Sequence, residues 1–566
     1  MNRVLSLATQ AAPFLIALLL AAPVLAGLAG TVLPAFGYFP ALGGDTFSLD
    51  AFRSLFSEPG FGASVWLALF TGLSATVISL GIVMLFIGAA GGTNSFRWMA
   101  RMISPLLAVP HAAAAFGFLF LLSPSGFLAR LLSPELTGWT RPPDVLIPND
   151  PMGLSLIAGL ALKEMPFLLL MALGAMGQMP IAESRRVVAG FGYGRLAGFL
   201  IAIWPGLYRR LRLPVLAVLA FSISVVDVAA ILGPTNPATL AMRITGWMNE
   251  PDLSRRFIAS AGSLVLILVT LCAIGIWLML ERAGRAYCQW QGVRGRRFAR
   301  DGALRGAAIA IAGLGAASVL LGLGLLALWS VSGLWQFPDA LPAELSLSSW
   351  RTALGQAGGL FATTISLAMA SSAIAATLVV LALQGERPGA MLASAAGQWI
   401  IYLPLLAPQA AFLFGLQMLV LRLGCNVSLA LLIFAHLIFV MPYVYLSLRG
   451  PWHGFDARFE NIARGLGHSP LQVFLKVRLP LMLRPILTAF AVGFAVSIGL
   501  YLPTVLIGAG RLPTITTEAV ALASGGNRRL IGIYAFLQAL LPFAVFMLAA
   551  LVPNLLFTNR RAMRQG

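Results

Sequence analysis

Few residues in this chain have types and spacing that could do chemistry, and most of those lie inside apolar runs. Asp227 follows Ser222 and Ser224 within one such run, Lys163-Glu164 precedes Pro166 in another, and His111 follows Pro110 in a third. Ionisable side chains are costly inside a membrane and mark pathways or helix partners there. Asp227 is placed to meet a cationic solute or to bond neighbouring helices. Lys163 and Glu164 point about 100° apart on a helix, so a direct pair between them is not assured. His111 faces a pathway or is a hydrogen-bonded core residue. Covalent chemistry finds little support. Cys272, Cys288 and Cys425 have no metal or disulfide spacing, and no His, Asp, Glu or Cys cluster suits a metal or a nucleophile. No G-x-x-x-x-G-K-[ST] loop occurs, and neither lysine follows a glycine, so ATP has no phosphate cradle of that kind on this chain.

The elements that must position these residues follow from composition. Of 566 residues, 59% are hydrophobic and 10% charged, against about 25% charged in soluble domains. An ordinary soluble enzyme is excluded. Apolar runs of spanning length number twelve, at approximately 10–32, 64–90, 103–123, 152–178, 213–234, 258–280, 304–328, 354–384, 394–421, 426–447, 485–508 and 531–556. They predict an all-α polytopic membrane protein. The first run has some features of a secretory signal, but it continues to about Val32, which favours an uncleaved span.

The formal charge is +19, and its distribution gives an orientation. With both termini cytoplasmic, 26 of the 38 basic residues lie on the cytoplasmic side and 11 outside. Basic residues are retained inside, so the excess is a topology signal and not a nucleic-acid footprint.

Two halves repeat. Gly192 is followed thirteen residues later by Pro205, and Gly467 thirteen later by Pro480; Phe199 matches Phe474 in the same register, an offset of 275. Met165-Pro166 pairs with Met441-Pro442, and Pro110-His111-Ala112-Ala113 with Pro408-Gln409-Ala410-Ala411. Halves of six spans share one orientation, and parallel repeats place a pathway at their interface. The basic segment 286–303 is the joint, leaving domains 1–285 and 304–566.

The loops ahead of the fifth and eleventh spans predict helix, turn, helix. Ile462, Ala463 and Leu466 fall at helical spacing, Gly467 permits a turn, and Ser469-Pro470 suits a new helix start. The second-half loop resembles the signature loop of the inner-membrane subunits of bacterial binding-protein-dependent ABC importers, roughly E-A-A-x-x-x-G, nine residues, I-x-L-P. Ala463, Gly467, Leu479 and Pro480 stand in the family's places, with Glu460 one residue ahead of the acidic position held by Asn461. In the first half Gly192 and Pro205 are kept, while Arg186 takes the acidic position, Val187-Val188 the alanines, and Glu183 lies three residues upstream. More narrowly, the chain resembles the fused two-domain permeases of the ferric-iron and thiamine type.

That resemblance implies twelve helices as two parallel six-helix type I importer permease domains in a bacterial inner membrane. It implies two copies of an ATPase docking on the loops around Glu183, Gly192, Phe199, Pro205, Glu460, Ala463, Gly467, Phe474 and Pro480. ATP would be bound by that partner, and no cofactor or metal by this chain. A periplasmic solute-binding protein would dock opposite, and the permease would catalyse no covalent reaction. Pathway candidates are Asp227, His111, Gln409 and Glu164, and the solute implied is thiamine, ferric iron or another small molecule. The rival reading is an ion-gradient-driven twelve-helix secondary transporter; it calls for several membrane carboxylates, whereas only Glu164 and Asp227 lie in spans.

Overall fold

The computed structural model describes residues 2–103, 106, 108–386 and 391–557. Among them, nine helices are long and apolar enough to cross a membrane, or eleven if two sharply bent helix pairs each count as one span. The helices used below are α1 (Asn2–Ala35), α2 (Phe61–Ala90), α3 (His111–Leu122), α4 (Leu154–Met176), α5 (Ile181–Gly190), α6 (Trp204–Ser224), α7 (Asp227–Leu232), α8 (Arg255–Val293), α9 (Gly302–Ser330), α10 (Gly358–Gly385), α11 (Ala395–Leu406), α12 (Gln409–Arg422), α13 (Leu429–His453), α14 (Arg458–Gly465), α15 (Leu483–Gly499), α16 (Leu502–Gly508) and α17 (Arg528–Leu556). Outward-facing side chains on α1, α8 and α9, such as Phe14, Leu18, Leu268, Leu271, Ile311 and Leu314, are apolar and exposed, the pattern a lipid solvent favours.

The contacts repeat. α2, α4 and α6 pack together, as do α10, α13 and α15. Two helices pack far along the chain: α1 on α10 and α12, and α9 on α2 and α3. Both crossings are built on glycine. A Cβ at Gly117 or Gly322 would meet the other's backbone at 2.9 Å, and one at Gly30 would lie 2.7 Å from the Gly415 carbonyl oxygen. Thr31 Oγ1 adds a 2.7 Å hydrogen bond to the Ala411 carbonyl. Small residues allow this approach where the hydrophobic effect gives helix pairs little drive. Gly117 and Gly415 each lie seven residues beyond the repeated prolines Pro110 and Pro408.

The expected fifth span, 213–234, is not one continuous helix. α6 stops at Ser224, Val225 is extended, and α7 begins at Asp227. Asp227 therefore heads a short helix instead of lying mid-span. The eleventh span breaks in the same register, with Leu500 extended between α15 and α16. The expected run 394–421 bends by 88° between α11 and α12. Pro408 has no N–H to donate and stands directly before α12, which explains a break at that place. α6 itself carries Arg209, Arg210 and Arg212 in its first half, so its charge sets it apart from the apolar spanning helices.

Candidate functional site

The four pathway candidates meet in one place. His111, Glu164, Asp227 and Gln409 all line a cavity of about 130 Å³ between the two sets of helices. Pro110 and Pro408 immediately precede the first residues of α3 and α12, which delivers His111 and Gln409 to the cavity from equivalent positions. His111 donates from Nε2 to Glu164 Oε1 at 2.9 Å and packs against the Phe221 ring at 4.7 Å between centroids. Glu164 thus pairs across helices with His111. Lys163 and Glu164 are both buried in α4.

Sequence reasoning missed the aromatic wall. Phe167 and Tyr443 both line the cavity and meet edge-on across it, with centroids 6.1 Å apart. They are repeat counterparts, each following a Met-Pro pair, so the signal lay in the residue after a motif already noted. Phe439 and Tyr501 complete the facing wall.

The two loops adopt one design. Gly192 and Gly467 have φ of +77° and +84°, a conformation glycine reaches without penalty. Ser469 caps the following turn, its Oγ accepting from Gln472 N while Gln472 Oε1 accepts from Ser469 N. A five-residue π-helical turn then starts at Phe199 in one loop and Phe474 in the other. Both phenylalanines are buried, and Pro205 and Pro480 open the helical segments that follow.

The helix ahead of each glycine keeps an apolar face unpartnered. On α14, Ala463 and Glu460 turn inward while Phe459, Ile462 and Leu466 are 51%, 62% and 75% exposed. The three residues expected together at helical spacing therefore split, with Ala463 inside and Ile462 and Leu466 outside. On α5, Val187 and Phe191 stand exposed at the positions equivalent to Ile462 and Leu466.

The two loops are anchored differently. Glu460 accepts from Arg478 Nη1 at 2.9 Å and Arg464 Nη2 at 3.4 Å, and Arg478 lies over the Trp452 ring at 4.4 Å. The Arg458 N–H holds the Asp456 carboxyl below the usual carboxylate range. Glu183 is exposed and takes no such part. Instead Arg185 and Arg195 both donate to the Gly91 carbonyl at the end of α2, where the helix dipole favours cations. Burial, with Arg195 beside it, pulls the Arg185 guanidinium below its usual range.

The joint 286–303 also rests on the first loop. α8 continues to Val293. Gly194 then donates to the Arg297 carbonyl at 2.8 Å, and Leu196 N donates to Asp301 Oδ2 at 2.7 Å. Expected only as a connector, this segment is a structural partner of one loop. Spacing alone gave no sign of it.

A profile of the family described as binding-protein-dependent transport system inner membrane component matches residues 389–561. That segment contains the loop with Ala463, Gly467 and Pro480 and does not include the first-half loop around Gly192. The chain is 31% identical over 517 residues to the inner membrane ABC transporter permease protein YnjC of Escherichia coli strain K12, covering 91% of this chain and 93% of the relative. A shorter likeness, 26% over 99 residues, links it to the spermidine/putrescine transport system permease protein PotC of Haemophilus influenzae, covering 18% of this chain and 38% of that one. The Escherichia coli K12 protein of the same name matches at 26% over 98 residues, with 17% and 37% covered.

Proposed function

The chain belongs to the family of inner-membrane permeases of binding-protein-dependent ABC transporters, and from that premise we propose that it is the fused two-domain membrane subunit of an importer. Twelve spans form two parallel six-helix domains, 1–285 and 304–566, joined by 286–303, with both termini cytoplasmic and lipid around the outer helices. Two copies of an ATPase dock on the two loops, and a periplasmic solute-binding protein delivers solute from the opposite side. ATP is bound and hydrolysed on the partner, and no covalent chemistry is assigned to this chain.

The observation that carries this reading is the paired apolar face. Ile462 and Leu466 on one loop, and Val187 and Phe191 on the other, are exposed at one repeat offset beside a left-handed glycine. A lipid-surface helix would also expose apolar residues, but it gives no reason for the same turn and π-helical segment in both loops. Closure of the ATPase pair draws the two loops together. A shift between inward-open and outward-open states then requires that ATP favour one state by differential binding free energy.

The cavity is the central part of the pathway in this proposal. Its solute is a small molecule, and a positive charge is common to the spermidine and putrescine named for the partial relatives and to the thiamine and ferric iron that the resemblance to fused permeases implied. The ion-gradient alternative calls for several membrane carboxylates, and the cavity offers two, Glu164 and Asp227, of which Glu164 is paired with His111.

Crosslinking in native membranes, mild-detergent purification and mass spectrometry test the docking. Wild type should carry an ATPase with its own phosphate loop. Gly467→Pro should lose it, because proline holds φ near −65° and cannot adopt the turn; Gly192→Pro reports whether the first loop contributes equally. Absence of any ATPase from wild type under every crosslinking condition would sink the importer reading.

A further inference from the structure

The charge in the cavity is lopsided. Its ionisable groups of ordinary acid or base strength, His111, Lys163, Glu164 and Asp227, all come from the first half. At the positions equivalent to Glu164 and Asp227 the second half has Val440 and Leu502. Glu164 is committed to His111 and is also the charged neighbour of Lys163. Asp227 is different. It is 8% exposed, and among the described residues no Lys, Arg or His forms a salt bridge with it. His111 and Glu164 line the same cavity, and Tyr501 joins them from the second half. Asp227 is thus the carboxyl group of the cavity that has no cationic partner among the described residues.

Size and wall chemistry narrow what this carboxyl group would meet. A cavity of about 130 Å³ is close to the engineered apolar cavity of about 150 Å³ that takes benzene, so it admits a group of about six non-hydrogen atoms. An anion would meet two carboxylates. From the second half the cavity takes the amide of Gln409 and the aromatic side chains of Phe439, Tyr443 and Tyr501. A bare metal ion would find no group of three His, Cys, Asp or Glu side chains among the described residues. Aromatic faces opposite a carboxylate do suit an ammonium group, which is attracted by both.

We infer that Asp227, together with Tyr443, Tyr501 and Phe439 in the wall of the same cavity, forms a way-station for the ammonium group of a small organic cation. The inference rests on the reading of the cavity as pathway. Asp227 is the first residue of α7, after the N-cap Val226, a place where a carboxylate also favours the helix start through the helix dipole. Asparagine has the same shape and keeps an acceptor oxygen, so Asp227→Asn removes the acid while sparing the local fold.

The test uses the full chain with its co-purifying ATPase in nanodiscs. The probes are butane-1,4-diamine, ethanolamine and tetramethylammonium, with butane-1,4-diol as an uncharged match, and thermal shift is followed against concentration. At least one amine should raise the melting temperature of wild type where the diol does not. Asp227→Asn should melt like wild type without ligand and bind that amine about tenfold or more weakly, as expected for loss of a charged partner. Three outcomes overturn the proposal: no amine effect on wild type, an equal effect of the diol, or unchanged amine affinity in Asp227→Asn. If Asp227→Asn does not fold, Tyr443→Leu decides, since unchanged affinity there removes the aromatic wall from the site. ATPase retention in the same preparations reports separately on the importer reading.

Discussion

Glu460 shows how a single residue serves the loop. It is buried, and its carboxylate joins α14 to Arg478, which in turn lies on Trp452 and donates to the Trp452 carbonyl at 3.3 Å. Removing one partner of such a group leaves the other desolvated and unpaired. Glu460→Gln should therefore destabilise the loop by about 1–3 kcal/mol and reduce ATPase retention. Glu183→Gln, at an exposed position, should stay within about 0.5 kcal/mol of wild type. Thermal unfolding of both variants, with ATPase retention measured alongside, checks the difference; equal effects would remove Glu460 from its anchoring role. The polar cavity residues were legible because each is a rare ionisable or amide side chain in an apolar run. Tyr443 and Phe439 were not, since 35 Phe and 9 Tyr are spread through the chain and only packing distinguishes a wall from lipid-facing bulk.

The loops depend on backbone shape more than on side-chain contact at the element scale. Nothing lies within 4 Å of a Cβ built at Gly467, so its φ of +84° is the only constraint. Asparagine tolerates that region better than other side chains. Gly467→Asn should retain the ATPase while Gly467→Pro loses it, and pull-down of the pair distinguishes a conformational requirement from a steric one. Loss in both would mean that space at the docking surface matters, not the turn. The glycines and the Ser469-Pro470 start were legible because turn chemistry is local.

The anchoring of the first loop was not legible, because it uses a segment about a hundred residues away. Leu196 N–H bonds to Asp301, which is buried. Asp301→Ala should speed hydrogen exchange at the Leu196 amide, leaving the Gln472 amide, capped by Ser469 in the second loop, unchanged. Unaltered exchange at Leu196 would show that the joint does not hold the loop. The repeat appears in sequence as matched motifs, yet the unequal fastening of its two copies depends on tertiary contacts that no motif encodes.

For the whole molecule, the exchange of first helices decides whether the halves act as one body. Most of the spanning helices were legible from hydropathy, but the partner of each was not, since apolar helices in lipid all resemble one another outside their small residues. The crossings are specified by glycines, and one helix supplies its own control. On α9, a Cβ at Gly322 would lie 2.9 Å from the Gly117 carbonyl carbon, whereas at Gly324 nothing lies within 4 Å. Alanine raises helix propensity by about 1 kcal/mol over glycine, so Gly324→Ala should be neutral or stabilising. Gly322→Ala must push α9 from α3, and overpacking of this kind costs about 1–3 kcal/mol. Gly415→Ala should cost more still, with its Cβ 1.9 Å from the Gly27 carbonyl oxygen. Melting temperatures in one detergent should therefore rank Gly324→Ala above Gly322→Ala, and Gly322→Ala above Gly415→Ala. If the crossings also transmit loop movement to the cavity, Gly322→Ala should lower transport even where ATPase docking persists. A ranking that follows helix propensity alone would mean that the exchanged helices are not in close contact, and the two halves would then have to communicate through the cavity wall itself.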